Sequence, residues 1–234
     1  NYYIIYADNI TYLKNSEKIF TVGNSRAVYD GIIIKAKKFD YDKILNIVIA
    51  EETVEIDDTN QDLQIFSNKI IYKKNQEEIF SKGFTEAIIE KKYNFFSKDV
   101  LLNRNKMELS SNHKTNINDD KSNFYELDEF RYFNNENLLK GKNVEITTNK
   151  NLKDKTSDKY TFLDGFFNLE SQNFKASKTK INLHKNIFER EDNDPRLFGA
   201  SSSKEGNITK INKGVFTSCK KKDKCPPWSL SANS

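Results

Sequence analysis

Paired acidic side chains are the residues in this sequence that most readily suggest chemistry, because two carboxylates can act as general acid and general base. Neighbouring residues of a β-strand point to opposite faces of the sheet, however, so adjacent carboxylates do not converge on one bond. We therefore interpret these pairs as solvated charges; they are Glu51–Glu52, Asp57–Asp58 and Asp119–Asp120. The segment Asp192-Asn193-Asp194 lacks the Gly and the terminal Glu of a calcium loop, which predicts a turn.

Nucleophiles and metal-ligating side chains are few. The sequence has two histidines, His113 and His184, and two cysteines, Cys219 and Cys225. A zinc site needs about four such ligands, and the two pairs lie far apart along the chain. No Gly-x-Ser-x-Gly segment that would carry a nucleophilic serine is present. We therefore predict that the protein is not an enzyme and has no catalytic residue, metal or cofactor.

A different candidate site is a stripe of apolar and aromatic residues that recurs at matching positions along the chain. If two sheets pack closely, such a stripe forms a solid core. If they splay apart, it lines an apolar groove suited to acyl chains, which bind through the area that they remove from water. Periodicity does not choose between the two. The stripe, and with it the candidate lipid-binding interior, consists of Ile10, Tyr12, Phe20, Ile70, Tyr72, Phe80, Val100, Leu102, Phe130 and Tyr132.

The elements that position this stripe are repeats. Residues 7–27 align without a gap on residues 67–87, with 9 identities that include Tyr12 on Tyr72 and Gly23 on Gly83. A weaker copy begins halfway between them, at Ala36, and further copies begin at Ser97 and Leu127. The starting positions indicate a unit of about 30 residues, which suits a stacked β unit that cannot bury its apolar face alone.

Each unit has the pattern of two strands joined by a polar turn. In the first unit, apolar and polar residues alternate in 10–13, a turn follows at 14–17, and a second alternating run ends at Gly23. No stretch has a helical pattern longer than a turn or two. With 36% hydrophobic and 31% charged residues, the composition favours an extended architecture with one buried layer. The sequence therefore predicts one continuous all-β domain over residues 1–234.

Charge and hydropathy exclude two classes of function. The net charge is only +4 from 38 basic and 34 acidic residues whose signs are mixed along the chain, which does not suggest a nucleic-acid binder. The longest apolar runs, such as 32–34, are far shorter than the roughly 20 residues of a membrane-spanning helix. We expect neither a nucleic-acid partner nor a transmembrane helix.

The C-terminal segment carries a family resemblance. Asp194-Pro195-Arg196-Leu197 precedes Thr217-Ser218-Cys219, and Cys225-Pro226-Pro227-Trp228-Ser229 follows a basic loop. This pattern resembles the junction before the β-barrel in the LptD family of outer-membrane lipopolysaccharide-assembly proteins, also called organic solvent tolerance proteins. The repeats over residues 1 to 187 resemble the OstA-type unit that LptD shares with LptA and LptC. The abundance of Lys, Asn and Ile resembles alphaproteobacterial members of the family.

The resemblance implies an elongated, twisted two-sheet β-jellyroll, often called a β-taco, on the periplasmic face of the Gram-negative outer membrane. Its apolar interior would receive lipid A acyl chains from the LptA bridge and pass them to a barrel and its LptE-like plug. Residues 194–234 would form the junction to that barrel, which is not part of this sequence. A free-standing LptA-like bridge protein and a β-solenoid structural or adhesion module are the alternatives.

Two finer expectations also come from the resemblance. In the periplasm the cysteines would be oxidised. Cys219 matches the family cysteine that bonds to a partner in the barrel, and a local bridge to Cys225 across five residues is the other pairing. The edge strand near Tyr2–Tyr6 would accept a strand of the bridge protein, because an exposed edge presents unpaired backbone groups. Pairing of that strand within the chain is the alternative.

Overall fold

The computed structural model describes residues 3–149, 157–188, 193–220 and 228–232. These residues form 20 β-strands and 3 short 3-10 helices, and no α-helix is present in them. The predicted all-β fold class is confirmed. None of the helices in the described part of the chain is long and apolar enough to span a membrane.

The strands are numbered in chain order. They are β1 (Ile4–Tyr6), β2 (Asn9–Leu13), β3 (Lys18–Tyr29), β4 (Ile32–Asp42), β5 (Ile47–Asp58), β6 (Leu63–Lys73), β7 (Glu78–Ile89), β8 (Tyr93–Lys98), β9 (Leu101–Asn103), β10 (Glu108–Ser111), β11 (Thr115–Asn118), β12 (Phe124–Leu127), β13 (Glu129–Phe133), β14 (Leu138–Thr147), β15 (Lys159–Asn168), β16 (Phe174–Asn182), β17 (Arg196–Glu205), β18 (Ile208–Asn212), β19 (Gly214–Thr217) and β20 (Leu230–Ala232). The 3-10 helices are Lys74–Gln76, Asn134–Glu136 and Lys185–Phe188.

The chain divides into two compact units. Unit 1 comprises Asn1–Thr115 and Arg131–Asn135, and unit 2 comprises Asn116–Phe130 and Glu136–Ser234. The single domain over residues 1–234, with its junction from residue 194, stays a prediction.

Unit 1 is an antiparallel meander in which β3 to β8 pair in sequence order. Each long strand alternates buried and exposed side chains, as the period of two in the sequence predicts. In β5, for example, Val48 and Ala50 are buried before the middle of the strand, and Val54 and Ile56 are buried after it. The result is one continuous apolar layer beneath the sheet.

Most long strands of unit 1 are interrupted by a β-bulge near their middle. The pairing registers shift between Val22 and Ser25 in β3 and between Glu51 and Val54 in β5. A bulge bends its strand and increases its twist. Gly23 and Gly83 occupy bulge positions with φ of 81° and 86°, a conformation that glycine adopts without steric cost. The repeat in the sequence therefore preserves glycine where the strand bends.

Buried hydroxyl groups flank two of these bulges. Thr21 Oγ1 and Ser25 Oγ lie 2.7 Å apart, and Ser81 Oγ and Thr85 Oγ1 lie 2.6 Å apart. A bulge leaves some backbone N–H groups without a partner in the neighbouring strand, and these hydroxyls accept hydrogen bonds from such groups. Val100 N, for example, donates to Ser81 Oγ over 3.2 Å. The hydroxyl pairs compensate for the broken ladder inside an otherwise apolar layer.

Removal of one such hydroxyl should destabilise the fold. We expect Ser81→Ala to lower the free energy of unfolding by about 1–3 kcal/mol, because the buried Val100 N–H loses its acceptor. Urea unfolding followed by circular dichroism measures the change. Ser110→Ala is the matched control, since Ser110 is half-buried and its hydroxyl contacts Leu101 O only at 3.5 Å. Equal stability of the two variants would contradict this role of the bulge hydroxyls.

The turns of unit 1 form two separate rows. In the first row, Thr59 N donates to Gly31 O and Glu90 N donates to Asp62 O. In the second row, backbone N–H groups of successive turns likewise donate to the turn before; these bonds are Lys43 to Glu17, Lys74 to Asn46, Arg104 to Glu77 and Asn134 to Met107. Every long strand runs from one row to the other, so the rows lie at opposite ends of the strands.

Unit 2 repeats this arrangement with β12 and β14 to β17. β14, β15, β16 and β17 pair antiparallel in sequence order, and β12 pairs with the end of β14. Its buried side chains include a group of aromatic rings contributed by β15 and β16, centred on Phe162, which is 1% exposed. At the C-terminal side, β17 pairs with β18 and β19, and β19 pairs with β20.

Candidate functional site

The ten residues of the predicted lipid-binding stripe occupy three environments. Six of them, Ile70, Tyr72, Val100, Leu102, Phe130 and Tyr132, are at most 3% exposed. Phe20 and Phe80 are half-buried, whereas Ile10 and Tyr12 are 53% and 49% exposed. The structure therefore brings the later copies of the stripe into the interior and leaves its first copy at the surface. Lipid binding by these ten residues stays a prediction.

The position of each repeat in the sheet explains the difference. Ile10 and Tyr12 lie on β2, which pairs on one side with β3 and has no second partner among the described residues. The matching Ile70 and Tyr72 lie on β6, between β5 and β7, and are therefore covered. At the start of β7, Ile79 is fully buried and its neighbour Phe80 is only half-buried, because the two side chains point to opposite faces.

In unit 1 the interior side chains pack against one another as a core. The ring centroids of Phe95 and Tyr132 lie 5.2 Å apart, and those of Tyr93 and Tyr132 lie 6.3 Å apart. These three side chains are at most 1% exposed. The apolar groove for acyl chains, the other arrangement that the sequence left open, stays a prediction.

Unit 2 contains an open pocket between the two ends of its strands. Tyr125 and Tyr160 lie at one strand end, and Phe167 and Phe174 lie at the other. About 60 Å³ of the pocket is open to a water-sized group, within about 460 Å³ of empty space that includes open solvent at its mouth. The full lining comprises Asn123, Tyr125, Ile146, Thr148, Tyr160, Phe167, Asn168, Gln172, Asn173, Phe174 and Lys204. None of these was part of the predicted stripe.

Aromatic rings form the wall and floor of this pocket. The ring of Phe162 lies beneath it, with its centroid 5.3 Å from that of Phe167 and 5.1 Å from that of Phe174. The ring of Tyr160 lies 6.4 Å from that of Phe174. These spacings are those of favourable tilted aromatic pairs, which gives the pocket a rigid apolar surface.

The rim of the pocket is polar. It carries the amide side chains of Asn123, Asn168, Gln172 and Asn173, together with the ammonium group of Lys204. On the wall, burial and the nearby charge of Asp158 raise the pKa of Tyr160, so its hydroxyl stays protonated at neutral pH. An apolar wall under a rim of donors and one cation suits a ligand with an apolar chain and an anionic or hydrogen-bonding head.

The pocket lining contains no His, Cys, Asp or Glu side chain and no serine. Elsewhere in the described part of the chain, no group of three or more His, Cys, Asp or Glu could hold a metal ion. What the pocket can do is bind and orient a ligand. Sequence reasoning overlooked it because its residues come from several strands and loops that share no repeated spacing.

The predicted disulfide is only partly within the described residues. Cys219 is buried, with its Sγ 3.7 Å from the carbonyl oxygen of Trp228, and Thr217 Oγ1 donates to that same oxygen over 2.9 Å. Cys225 lies in 221–227, outside the described residues. The pairing of the two cysteines stays a prediction.

Comparison with known proteins gives similarity of structure alone. No protein-family model matches the chain, and no curated protein matches it at a significant level. Among solved structures, the chain is similar to LptH from Pseudomonas aeruginosa, described as the LptA homologous periplasmic component of the conserved lipopolysaccharide transport device. The two are 10% identical, the match covers 56% of this chain and 76% of that chain, and the TM-score is 0.37.

Proposed function

We propose that this protein binds lipopolysaccharide in the periplasm and takes part in its transport to the outer membrane. The pocket of unit 2 is the observation that carries the proposal, because it combines an aromatic wall with a polar rim that includes Lys204. The resemblance of the repeats and of the segment 194–232 to the lipopolysaccharide-transport family supports it. The chain acts as a carrier surface, not as a catalyst.

The chemistry of lipid A matches the pocket. Each methylene group that leaves water contributes about 0.8 kcal/mol, so even part of an acyl chain gains several kcal/mol against the rings of Phe167 and Phe174. The glucosamine phosphates of lipid A carry negative charge, which the ammonium group of Lys204 complements at the rim. The amide group of Asn173 donates to the sugar and acyl oxygens, whereas that of Asn168 already donates to Glu136 O within the protein.

Site-specific photo-crosslinking tests this proposal with an internal control. Phe166 and Phe167 are adjacent on β15, but Phe167 lines the pocket at 3% exposure, whereas Phe166 is 47% exposed on the other face. We expect p-benzoylphenylalanine at position 167 to capture purified lipopolysaccharide and the same residue at position 166 to capture little. Equal capture at the two positions would rule out the pocket as the lipid site.

The finer parts of the proposal concern the place of the protein in the transport system. We propose that it is the periplasmic portion of an LptD-type protein, at the outer membrane and upstream of a barrel with an LptE-like plug. The Thr217-Ser218-Cys219 and Trp228-Ser229 segments favour this over a free-standing LptA-like bridge, because the bridge family has no need of them.

The N-terminal edge is the proposed docking site for an LptA-like bridge protein. β1 pairs with one half of β3, with Ile5 opposite Ala27, and β2 pairs with the other half. Neither strand has a second neighbour among the described residues. Such an edge offers free backbone groups to a strand from a partner.

Proline substitutions at Ile4 and Ile5 distinguish the two sides of this edge. Successive residues of an antiparallel strand direct their N–H groups to alternate sides, so one proline removes a bond to β3 and the other removes a free donor. We expect the proline that removes the free donor to weaken binding of a purified bridge protein about tenfold without changing thermal stability. Unchanged binding in both folded variants would exclude docking at β1.

A further inference from the structure

The strands on the C-terminal side of unit 2 carry an excess of positive charge. β14 to β18 pair antiparallel in sequence order. Because successive side chains of a strand point to opposite faces, Phe167 lies on the pocket side of β15, whereas Phe166 is exposed on the other side. The five strands contain nine basic and three acidic residues, a net charge of +6, whereas the net charge of the whole chain is +4.

Most of this charge is not neutralised by neighbouring carboxylates. In unit 1, lysines of adjacent strands face carboxylates, as in the 2.9 Å ion pair of Lys35 with Glu55. In unit 2, Lys142 and Lys159 also have carboxylate partners. The other exposed lysines of β14 to β18 make no ion pair with any described residue; they are Lys140, Lys175, Lys178, Lys180 and Lys210. We call the exposed side of β14 to β18, with these five lysines, the basic face.

Aromatic rings lie between the lysines of the basic face. Phe166 is 47% exposed and pairs with Lys140 on one side and with Lys175 on the other. Phe198 is 37% exposed and pairs with Lys180. Ammonium groups lie over both rings: Lys140 Nζ is 5.5 Å from the centroid of Phe166, and Lys180 Nζ is 5.8 Å from that of Phe198. Exposed rings and positive charges thus alternate from strand to strand.

We propose that the basic face docks on the surface of an anionic phospholipid bilayer. This goes beyond the proposed transport function and rests on the proposed location beside the outer membrane. An anionic bilayer attracts basic side chains to its layer of phosphate groups. Exposed rings enter the boundary between headgroups and acyl chains, while lysine stems lie along it with their ammonium groups in water. The basic face has both kinds of side chain.

The arrangement of the side chains favours a bilayer over a single small anion. The unpaired lysines lie on β14, β16 and β18, and five strands at the usual spacing cover about 19 Å, which is wider than one headgroup. The strands between them, β15 and β17, carry the exposed apolar side chains Leu163, Phe166 and Phe198. A purely electrostatic partner would not need these apolar side chains. The pocket lies on the other side of the strands, so docking leaves it accessible.

Cosedimentation with lipid vesicles tests the charge on this face. The basic-face variant replaces three unpaired lysines: Lys140→Gln, Lys175→Gln and Lys180→Gln. The matched control removes the same charge from exposed lysines of unit 1: Lys35→Gln, Lys37→Gln and Lys38→Gln. The vesicles contain phosphatidylethanolamine with phosphatidylglycerol, or phosphatidylcholine alone. The salt concentration is about 0.15 M, at which charges more than about 8 Å from the lipid are screened.

We expect the parent protein and the control to bind the anionic vesicles alike, and the basic-face variant to bind them at least about tenfold more weakly. A lysine beside an anionic bilayer contributes about fivefold to binding, so three of them account for such a loss. Equal losses in the two variants would show that net charge and not the basic face is responsible. Equal binding of the parent protein to both kinds of vesicle would overturn the proposal.

The rings are tested separately, with Phe166→Ala and Phe198→Ala together. Phe84→Ala with Ile44→Ala is the control, since these side chains of unit 1 are 62% and 66% exposed. We expect only the first variant to lose affinity for the anionic vesicles, by about tenfold. Unchanged binding without the two rings, or tighter binding of a single-stranded oligonucleotide than of the vesicles, would overturn the bilayer as the partner. The vesicles contain no lipopolysaccharide, so the result does not depend on the pocket of unit 2.

Discussion

Phe162→Ala should lower the free energy of unfolding by about 3–5 kcal/mol, the cost of deleting a fully buried phenylalanine. Phe162 is 1% exposed and lies beneath the pocket of unit 2, in contact with the rings of Tyr160, Phe167 and Phe174. Its removal withdraws one ring from contact with three others and leaves a cavity that these rigid neighbours fill only in part. Urea unfolding monitored by circular dichroism gives the difference.

Phe166→Ala is the matched control for this prediction. The two phenylalanines lie on the same strand, but Phe166 is 47% exposed and faces away from the pocket. We expect its truncation to cost less than about 1 kcal/mol. Phe162→Ala should also deepen the pocket. An apolar ligand should therefore raise the free energy of unfolding of this variant more than that of the parent protein, because a ligand that binds only the folded state stabilises it. A loss under 1 kcal/mol in Phe162→Ala would contradict the tight floor described above.

Arg104→Ala should cost a similar amount, about 3–5 kcal/mol, for an electrostatic reason. The interpretation of Asp58 as a solvated charge is wrong, because its carboxylate is 0% exposed and paired with Arg104. Truncation of Arg104 leaves this buried carboxylate without its cation. It also removes the bond to Glu77 within the second turn row and the bond to the carbonyl of Asp30 in the first row. Thermal and urea unfolding measure the loss.

The comparison variants for Arg104→Ala separate charge from packing. Lys35→Ala removes an exposed partner of Glu55 and should cost less than about 1 kcal/mol. The charge-free variant, which combines Arg104→Met, Asp58→Asn and Glu77→Gln, should recover much of the stability that the single substitution loses, because it leaves no buried charge unpaired. If Arg104→Ala and the charge-free variant were equally unstable, packing and not the unpaired charge of Asp58 would explain the effect.

The strand pattern could be predicted from local sequence because it depends on short-range physics. Alternating apolar residues and polar turns are properties of neighbouring residues, and a β-strand has the same period wherever it lies. The repeat also marked Gly23 and Gly83, whose positive φ values allow the strands to bend. It did not reveal the hydroxyl pairs beside them, because Thr21 and Ser25 exchange types with Ser81 and Thr85 in the second copy.

The candidate site could not be predicted in this way, because it depends on where each repeat lies in the sheet. Ile10 and Ile70 are equivalent in the repeat, yet one is 53% exposed on an edge strand and the other is 1% exposed. A side chain is buried when strands on both sides cover it. The repeat does not specify how many neighbouring strands a given copy has. The pocket of unit 2 depends likewise on loops such as 168–173 that no repeated spacing identifies.

The sequence by itself determined the all-β class and the alternation of strands and turns, because both follow from local propensity and period. The strand run predicted to end at Gly23 continues as β3 to Tyr29, and the glycine lies at a bulge inside it, because the strand bends there and does not turn back. Only the tertiary structure decided which apolar residues form a core, which ones line the pocket, and that Arg104 meets Asp58. Those two residues are 46 positions apart, at opposite ends of the strands. Their encounter depends on the strands folding over at the bulges, and long-range contacts of this kind are set by the packing of the whole unit.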